Sequence, residues 1–443
     1  MQDQITEQQK LIQPLQDSTA AQQKKLDEMK STAASPAPAA APAKPAAPAP
    51  VVASAPAAAA PKVEVAKPIP PAPKWYDKYT IRGYVQVRDN RVYTSNGNIT
   101  CPQCDSQMGN NTNFSLRRAR LILTGDVNER ITLYLQTEFS QTVSNQLHVG
   151  QIRDLYADVF LDKKKEHRLR VGQSKVPFGF ENMQSSQNRL ALDRDDAINS
   201  SAPNERDMGV FYYWAPAKIR TRLASLAAAG TTGLKGSGDY GVFGLGVYNG
   251  QSSNRQEANN NLHTVARVAY PWELKNGQVI EAGLQAYTGR YTVDTRTVGV
   301  KGPSDFTFRD QRTAASLILY PKPLGFQAEY MTGKGPGYDP KTNTIRAGHV
   351  KGGYAQTMYM KKWKGQVFTP FYRFQYYSGG KKHEQDARNY LVRDHDIGLE
   401  WQQSNFFEIT GQYTFADRRY EDAGRLNNRQ QGQLFRIQFQ VNY

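Results

Sequence analysis

Arginines at alternating positions are the residues whose type and spacing carry the clearest chemical meaning in this sequence. Arg82 and Arg88 alternate with the apolar residues Ile81 and Val87. A guanidinium stays charged at any working pH and can bind an oxyanion through two parallel hydrogen bonds, so such a row suits small anions. The same alternation occurs at Arg118, Arg120 and Arg170. We therefore predict that these arginines share one polar face of a sheet.

The elements that must position the arginines are short segments in which apolar and polar residues alternate, a pattern typical of β-strands. No apolar run approaches the roughly 18–20 residues that a membrane-spanning helix requires, whereas strands of about 9–11 residues can cross a bilayer at a tilt. The candidate segments predict an all-β fold, a transmembrane antiparallel β-barrel of about 16 strands. Clear examples lie near residues 79–88, 131–139, 150–161, 279–290, 309–320, 349–361, 366–378 and 391–401.

The predicted connections alternate between long and short, as in barrels with long extracellular loops and tight periplasmic turns. Long connections include 291–308, 335–348 and 417–429, and short ones include Asp126–Glu129 and Lys362–Gly365. Residues 215–238 break the alternation, because a short turn is expected there, and we assign them no strand.

The last predicted strand, Phe435–Tyr443, ends the chain on an aromatic residue after strict alternation of apolar and polar side chains. Such an ending resembles the sorting signal of bacterial outer-membrane proteins. An ordinary amphipathic strand at the end of the chain is the alternative. The start, Met1-Gln2-Asp3, lacks a signal sequence, so either a signal has been removed or the protein stays inside the cell. The C-terminal strand favours export to the outer membrane.

The positive charge of the chain belongs mainly to the predicted barrel. The formal net charge is +16, and residues 1–74 hold eight Lys against six Asp and Glu, so about +14 remains for residues 75–443. Lys or Arg facing midplane lipid costs about 2–4 kcal/mol, so the excess charge should line the lumen, the loops or the rims. Weaker assignments place Arg267, Arg373 and Arg436 on the inner face as well. Alternatively, many arginines are paired with the lumen carboxylates Glu138, Asp154, Asp158 and Glu400.

Two segments precede the barrel. Residues 1–32 are polar and helix-prone, with apolar residues at heptad positions, and predict a short coiled-coil arm or else a frayed tail. Residues 33–74 are rich in Ala and Pro and predict an extended linker.

The connection 177–206 is the longest and differs in composition from the others. It carries Arg189, Arg194 and Arg206 interleaved with acidic residues, together with spaced apolar residues such as Leu190. A loop of this length with apolar residues is expected to pack against something. Folded into the barrel, it would form a constriction loop of mixed charge; a lid on the surface is the alternative.

Other chemistry is weakly represented. Cys101 and Cys104 have the spacing of a redox or zinc motif, but the context favours a small disulfide, and we predict no metal site and no cofactor. The six histidines lie mostly in predicted loops or turns without an evident Ser or Asp partner, so we do not expect an enzyme. Spread around a barrel, the positive charge forms no compact patch for nucleic acid.

The segment RVGQSKVPFGFE from Arg170, followed by Ser185-Ser186 and Asp193-Arg194, resembles the strand and constriction loop of the phosphate-selective porin (porin O/P) family. Phe114–Arg120, with adjacent Arg117 and Arg118, resembles its paired-arginine strand, and Arg82-Gly83 fits its first strand. The likeness covers roughly residues 76–443. It implies a sixteen-stranded barrel, a homotrimer, and Arg82, Arg117 and Arg118 as anion contacts. Arg117 has the opposite parity to Arg118, so it would reach the lumen only if the strand began after it.

One position departs from the family pattern. Members with phosphate preference carry a lysine just after the Ser-Ser pair, where this chain has Gln187. We therefore predict an outer-membrane porin for passive uptake of phosphate or other small anions such as carboxylates, without securing phosphate. Its surroundings would be outer-membrane lipid and lipopolysaccharide. The alternative is a structural envelope protein, whose N-terminal arm binds peptidoglycan or a periplasmic partner.

Overall fold

The computed structural model describes residues 74–95, 99–101, 105, 108, 114–140 and 149–443. The predicted arm, the linker up to residue 73 and Cys104 lie outside the described residues. Within the described part, sixteen strands alternate with connections of very different length. They are β1 Tyr79–Ser95, β2 Ser115–Asn128, β3 Ile131–Ser140, β4 Val149–Phe160, β5 His167–Lys175, β6 Arg206–Trp214, β7 Phe243–Tyr248, β8 His263–Glu273, β9 Val279–Thr292, β10 Thr307–Leu319, β11 Leu324–Asp339, β12 Thr344–Tyr359 with its continuation Lys361–Trp363, β13 Gln366–Gly380, β14 Asn389–Gln402, β15 Phe407–Asp422 and β16 Arg425–Asn442.

The sheet closes on itself. Each strand pairs antiparallel with its neighbours in the chain, and β1 pairs with both β2 and β16. Val85 lies opposite Ala119 on one side and Val441 on the other. Closure leaves no unpaired sheet edge, which a bilayer would not tolerate. The predicted antiparallel barrel of about 16 strands is confirmed.

Alternation along each strand separates two environments. Large apolar side chains on the outer face are exposed, whereas charged side chains on the inner face, such as Arg120 and Glu138, are buried. This is the reverse of a soluble protein and matches a barrel whose outer face contacts lipid. The exposed outer side chains include Ile81, Leu121, Leu133, Leu155, Val171, Val210, Leu245, Leu284 and Leu317.

Aromatic side chains gather on the outer face near one end of the barrel. Phe368 stacks on Trp401 with ring centroids 6.1 Å apart, and Trp363 lies 6.3 Å from Phe368. Aromatic rings of this kind occupy the boundary between lipid and water. No helix among the residues that the structure describes is long and apolar enough to cross a membrane.

The connections differ from the predicted alternation in two ways. Residues 335–348 and 417–429 are not long loops, because β11–β12 and β15–β16 continue as paired hairpins closed by tight turns. Residues 215–242 join β6 to β7 at the end where the other connections are short. They contain a helix, α3 (Ala217–Leu226), and no strand, which explains why the region resisted a strand assignment. We call residues 215–242 the mouth segment.

The barrel interior is filled by residues 176–205, which connect β5 to β6 and are called the inner loop below. It contains two single-turn helices, α1 (Phe180–Met183) and α2 (Asp196–Asn199). The predicted bounds, 177–206, each lie one residue later than the observed ones, because Arg206 is the first residue of β6. Its apolar residues Phe178 and Ile198 are buried in one cluster with wall residues such as Met331 and Tyr377. The inner loop is therefore packed against the inner wall.

Candidate functional site

The inner loop turns sharply at Gly179. Its φ of +84° lies in the left-handed region, and a Cβ there would lie 2.3 Å from Cγ2 of Ile198. Only glycine fits such a backbone beside a close neighbour. The turn delivers the amides of Phe180 and Glu181 to the carboxylate of Glu329 on β11, at 2.5 and 2.8 Å.

Further polar contacts fasten the loop to widely separated strands. Arg373 on β13 donates to Oε1 of Glu181 at 2.9 Å, and Gln412 on β15 accepts from the amide of Leu192 at 2.9 Å. Arg88 on β1 donates to the carbonyl of Leu192, also at 2.9 Å. The loop thus spans the lumen, and its charged side chains occupy fixed positions.

Both members of the Arg117-Arg118 pair face the lumen, although parity places them on opposite faces. In the β1–β2 register Gln86 lies opposite Arg118 and Val87 lies opposite Leu116, so Arg117 is the extra residue of a β-bulge. A bulge re-aims a side chain without ending the strand. Arg117 thereby approaches Asp105 at 3.7 Å and Asp193 at 3.8 Å. The expectation that Arg117 reaches the lumen only outside the strand was wrong.

Most of the predicted arginines have a carboxylate partner. Arg88 binds Asp105 at 2.7 Å and Asp193 at 3.1 Å, and Arg170 binds both oxygens of Asp158 at 2.8 Å. Such pairs stiffen the wall and contribute little net charge to the lumen. Further pairs are Arg120 with Glu138, Arg194 with Glu205 at 2.5 Å, and Arg206 with Asp154 at 2.8 Å and with Glu205 at 2.6 Å.

Two arginines at the inner loop differ from these. Arg118 is 5% exposed and donates to Oε1 of Gln86 at 2.9 Å, and Arg189 is 6% exposed with its Nε unpartnered. Neither forms an ion pair with any residue that the structure describes. Each lies among further guanidiniums, including Arg117 beside Arg118 and Arg194 beside Arg189. Buried cations without a carboxylate at ion-pair distance make a site that an oxyanion would stabilise.

The pKa shifts of two inner-loop residues agree with this distinction between charges that have an ion-pair partner and charges that have none. Burial tends to raise the pKa of Asp193, but the guanidiniums of Arg88 and Arg436 outweigh it and hold that pKa well below its ordinary value. Burial and the nearby Arg194 lower the pKa of Arg189 to about 9. Asp193 is therefore stabilised as an anion by its partners, whereas burial and Arg194 outweigh the attraction of Glu181, Asp193 and Glu205 for the cationic form of Arg189.

Lys175, at the end of β5, adds a third cation whose partners are uncharged. It is 7% exposed, and its Nζ donates to the carbonyls of Met183 and Gln184 at 2.9 and 2.8 Å. Lys175 lines a cavity of about 510 Å³ that lies between the inner loop and the mouth segment. Arg82, exposed and without an ion pair among the described residues, lines the same cavity. Cationic side chains thus extend from the inner loop toward the end with short turns.

The sequence profile of the family described as phosphate-selective porin O and P matches residues 91–443, about four fifths of the chain. This chain belongs to that family. The barrel and the family together make it an outer-membrane porin, a channel rather than an enzyme. No curated protein matches it by sequence.

Solved porin structures share the fold of this porin. OmpF of Salmonella typhi, in complex with daunomycin, has a TM-score of 0.51 at 10% identity, covering 84% of this chain and 99% of its own. OprB of Pseudomonas putida has a TM-score of 0.51 at 8% identity, covering 83% and 95%. An anion-selective porin from Comamonas acidovorans has a TM-score of 0.45 at 11% identity, covering 82% and 99%. At these identities the first two likenesses support the fold alone.

Gln187, the residue after the Ser-Ser pair in this porin, is bound to the barrel wall through its backbone. The carbonyl of Gln187 accepts from Nε2 of Gln440 at 3.3 Å, and the residue lines the 510 Å³ cavity. The side chain of Gln187 adds no charge to that cavity. Cys101 is buried, and its predicted disulfide with Cys104 stays a prediction.

Sequence reasoning missed several lumen cations of this porin, among them Arg153, Lys175 and Lys235. Arg153 reaches the lumen through a second bulge, because Gln136 lies opposite Asp154 and Thr137 lies opposite Ile152. Lys175 ends its strand where the inner loop begins, and Lys235 lies in the unassigned mouth segment. Bulges leave no signal in an alternation pattern, and Lys175 has the same parity as the outward Val171, so alternation does not indicate its inward position.

Proposed function

We propose that this porin forms an anion-favouring, water-filled channel for passive uptake of phosphate or other small anions such as carboxylates. The observation that carries the proposal is the pair Arg118 and Arg189, two buried guanidiniums at the inner loop without a carboxylate partner among the described residues. Fixed cations in a narrow, low-dielectric passage raise the local anion concentration and repel cations.

The ion pairs explain how the site keeps its charges in place. Arg88 and Arg436 fix Asp193, and Glu205 fixes Arg194, so the loop that carries Arg189 is rigid around it. A site on rigid supports needs no rearrangement when the anion arrives. Because Gln187 adds no ammonium, we expect small anions to share the channel without strong preference for phosphate.

The proposal extends to the lipid around the barrel, its oligomeric state and the location of the N-terminal arm. The exposed apolar band suits outer-membrane lipid and lipopolysaccharide, and the family resemblance supports a homotrimer. Because β1 begins at the short-turn end of the barrel, we place the N-terminal arm, residues 1–32, in the periplasm, where peptidoglycan or another periplasmic partner is accessible.

The test is the reversal potential of the full-length porin in a planar bilayer under a KCl gradient, followed by titration with phosphate and with a dicarboxylate. We expect the potential to report chloride preference, and both added anions to reduce the chloride current. The double variant Arg118→Gln/Arg189→Gln should lose most of that preference. A cation-selective or non-conducting channel would contradict the proposal.

A further inference from the structure

We propose that the cavity between the inner loop and the mouth segment is a binding site for aromatic carboxylates, on the short-turn side of Arg118 and Arg189. The proposal rests on the proposed anion channel and names a substrate class for it. Its distinguishing feature is that tyrosine rings and cations line the same space.

The size and boundaries of the cavity suit an organic molecule. Its volume is about 510 Å³, within the roughly 300–1,000 Å³ typical of small-molecule sites. Gln184 donates to the carbonyl of Lys235 at 2.6 Å and Asn188 to the carbonyl of Ala227 at 2.7 Å, so inner loop and mouth segment close it together. An inorganic oxyanion, which has only polar atoms, would leave most of this space unused.

The charge of the lining favours an anion. Six cationic side chains line the cavity, and four of them are neutralised in ion pairs, so Arg82 and Lys175 supply its uncompensated charge. Arg82 and Lys175 have no carboxylate partner among the described residues, and Lys175 is satisfied only by two carbonyl oxygens. The other four cations are Arg120, Arg168, Arg170 and Arg206.

The rings of Tyr134 and Tyr156 are stacked on each other beside these cations. Their centroids are 4.9 Å apart with an interplanar angle of 10°. The guanidinium of Arg170 lies 3.8 Å from the Tyr156 centroid, and Asp158 holds that guanidinium with two bonds of 2.8 Å. The Tyr156 ring is therefore held between Tyr134 and Arg170, and both rings are half-buried and line the cavity, where a bound ring can meet their edges.

The row of polar side chains and the row of tyrosine rings lie close together on the barrel wall. In the strand register Arg82, Ile122, Gln136 and Asp154 form one row across β1 to β4, and Tyr134 and Tyr156 form a row two residues nearer the short-turn end. A ligand with a carboxylate at one end and a planar ring at the other can meet both rows at once. Small side chains of the mouth segment, Ala227, Ala228 and Ala229, supply apolar surface opposite.

The experiment measures block of chloride current through the full-length porin in planar bilayers, with benzoate or cyclohexanecarboxylate added on the short-turn side. The two probes have the same charge, and only benzoate has a planar ring. Because aromatic pairs gain about two- to tenfold in affinity beyond simple burial, we expect benzoate to block at a concentration lower by about that factor. Equal potency of the two probes would overturn the proposal.

Variants locate the effect. Tyr134→Leu and, separately, Tyr156→Leu should abolish the advantage of benzoate, whereas Tyr134→Phe, which keeps the ring and loses the bond from its hydroxyl to Gln136, should retain it. Retention of the advantage in both leucine variants would also overturn the proposal. The reversal potential in the same bilayers separates the two ideas: loss of chloride preference contradicts the channel proposal, while a missing benzoate advantage in an anion-selective channel contradicts only the aromatic site.

Discussion

Neighbouring arginines on one face of β2 differ in how their charge is compensated. Arg120 is paired with Glu138, and Arg118, two residues away, has the uncharged partner Gln86. We expect Arg118→Gln to lower the chloride-to-potassium permeability ratio roughly fivefold, the factor for about 1 kcal/mol of Coulomb energy at 4 Å in water. Reversal potentials in a KCl gradient measure this ratio.

The matched control removes a neutral pair at the same depth. Arg120→Gln/Glu138→Gln deletes one charge of each sign, so the permeability ratio should stay near that of the unmodified porin. If both variants lowered the ratio equally, selectivity would follow the number of arginines and not their pairing. The sequence also allowed the alternative that lumen carboxylates neutralise many arginines. The structure shows this pairing at Glu138 and Asp158.

At the scale of elements, strand parity predicted the barrel well because each strand has lipid on one side and charge on the other. It placed Arg82, Arg88, Arg120 and Arg170 on one face from sequence alone. It failed at Arg117, where a bulge inserts one residue, because the bulge is visible only in the pairing of β2 with β1. It rightly assigned no strand to residues 215–238, but it could not predict the helix there, which contacts distant strands, as where Arg222 donates to the carbonyl of Pro271.

The mouth segment is held by a buried ion pair. Lys235 and Glu400 are 5% and 0% exposed, and Nζ lies 2.6 Å from Oε1. Removing one partner of such a pair typically costs about 3–5 kcal/mol, because the other charge is left buried. We expect Lys235→Gln to loosen the segment and raise single-channel conductance.

Replacing both partners tests whether the pair or the lysine side chain matters. Lys235→Met/Glu400→Met leaves apolar groups in place of the pair, a change that is often neutral in stability. Conductance of this double variant should return toward that of the unmodified porin. A Lys235→Gln channel with unchanged conductance would show that the segment is held by its other contacts, such as Leu226 packed beside Phe180.

At the scale of the whole molecule, the barrel closes through residues 79–442 alone, since β1 pairs with β16. We therefore expect deletion of residues 1–71 to leave conductance and selectivity unchanged in planar bilayers. A structural tether would instead lose its envelope phenotype on the same deletion while the barrel still conducts. Loss of channel formation after deletion would contradict this expectation and assign the arm a role in assembly.

The outer face of the barrel also bears on assembly. Along β10–β12 it carries small residues, Ala315, Ala328, Gly353 and Ala355, which line an outward groove of about 580 Å³. Small side chains let two membrane proteins approach closely, where lipid provides no hydrophobic drive for association. We expect the contact of the proposed homotrimer to lie here, and Ala355→Trp to yield monomers in sedimentation of the detergent-solubilised porin. Leu155→Trp, on exposed β4 across the barrel, should remain trimeric, and a trimeric Ala355→Trp porin would move the contact elsewhere.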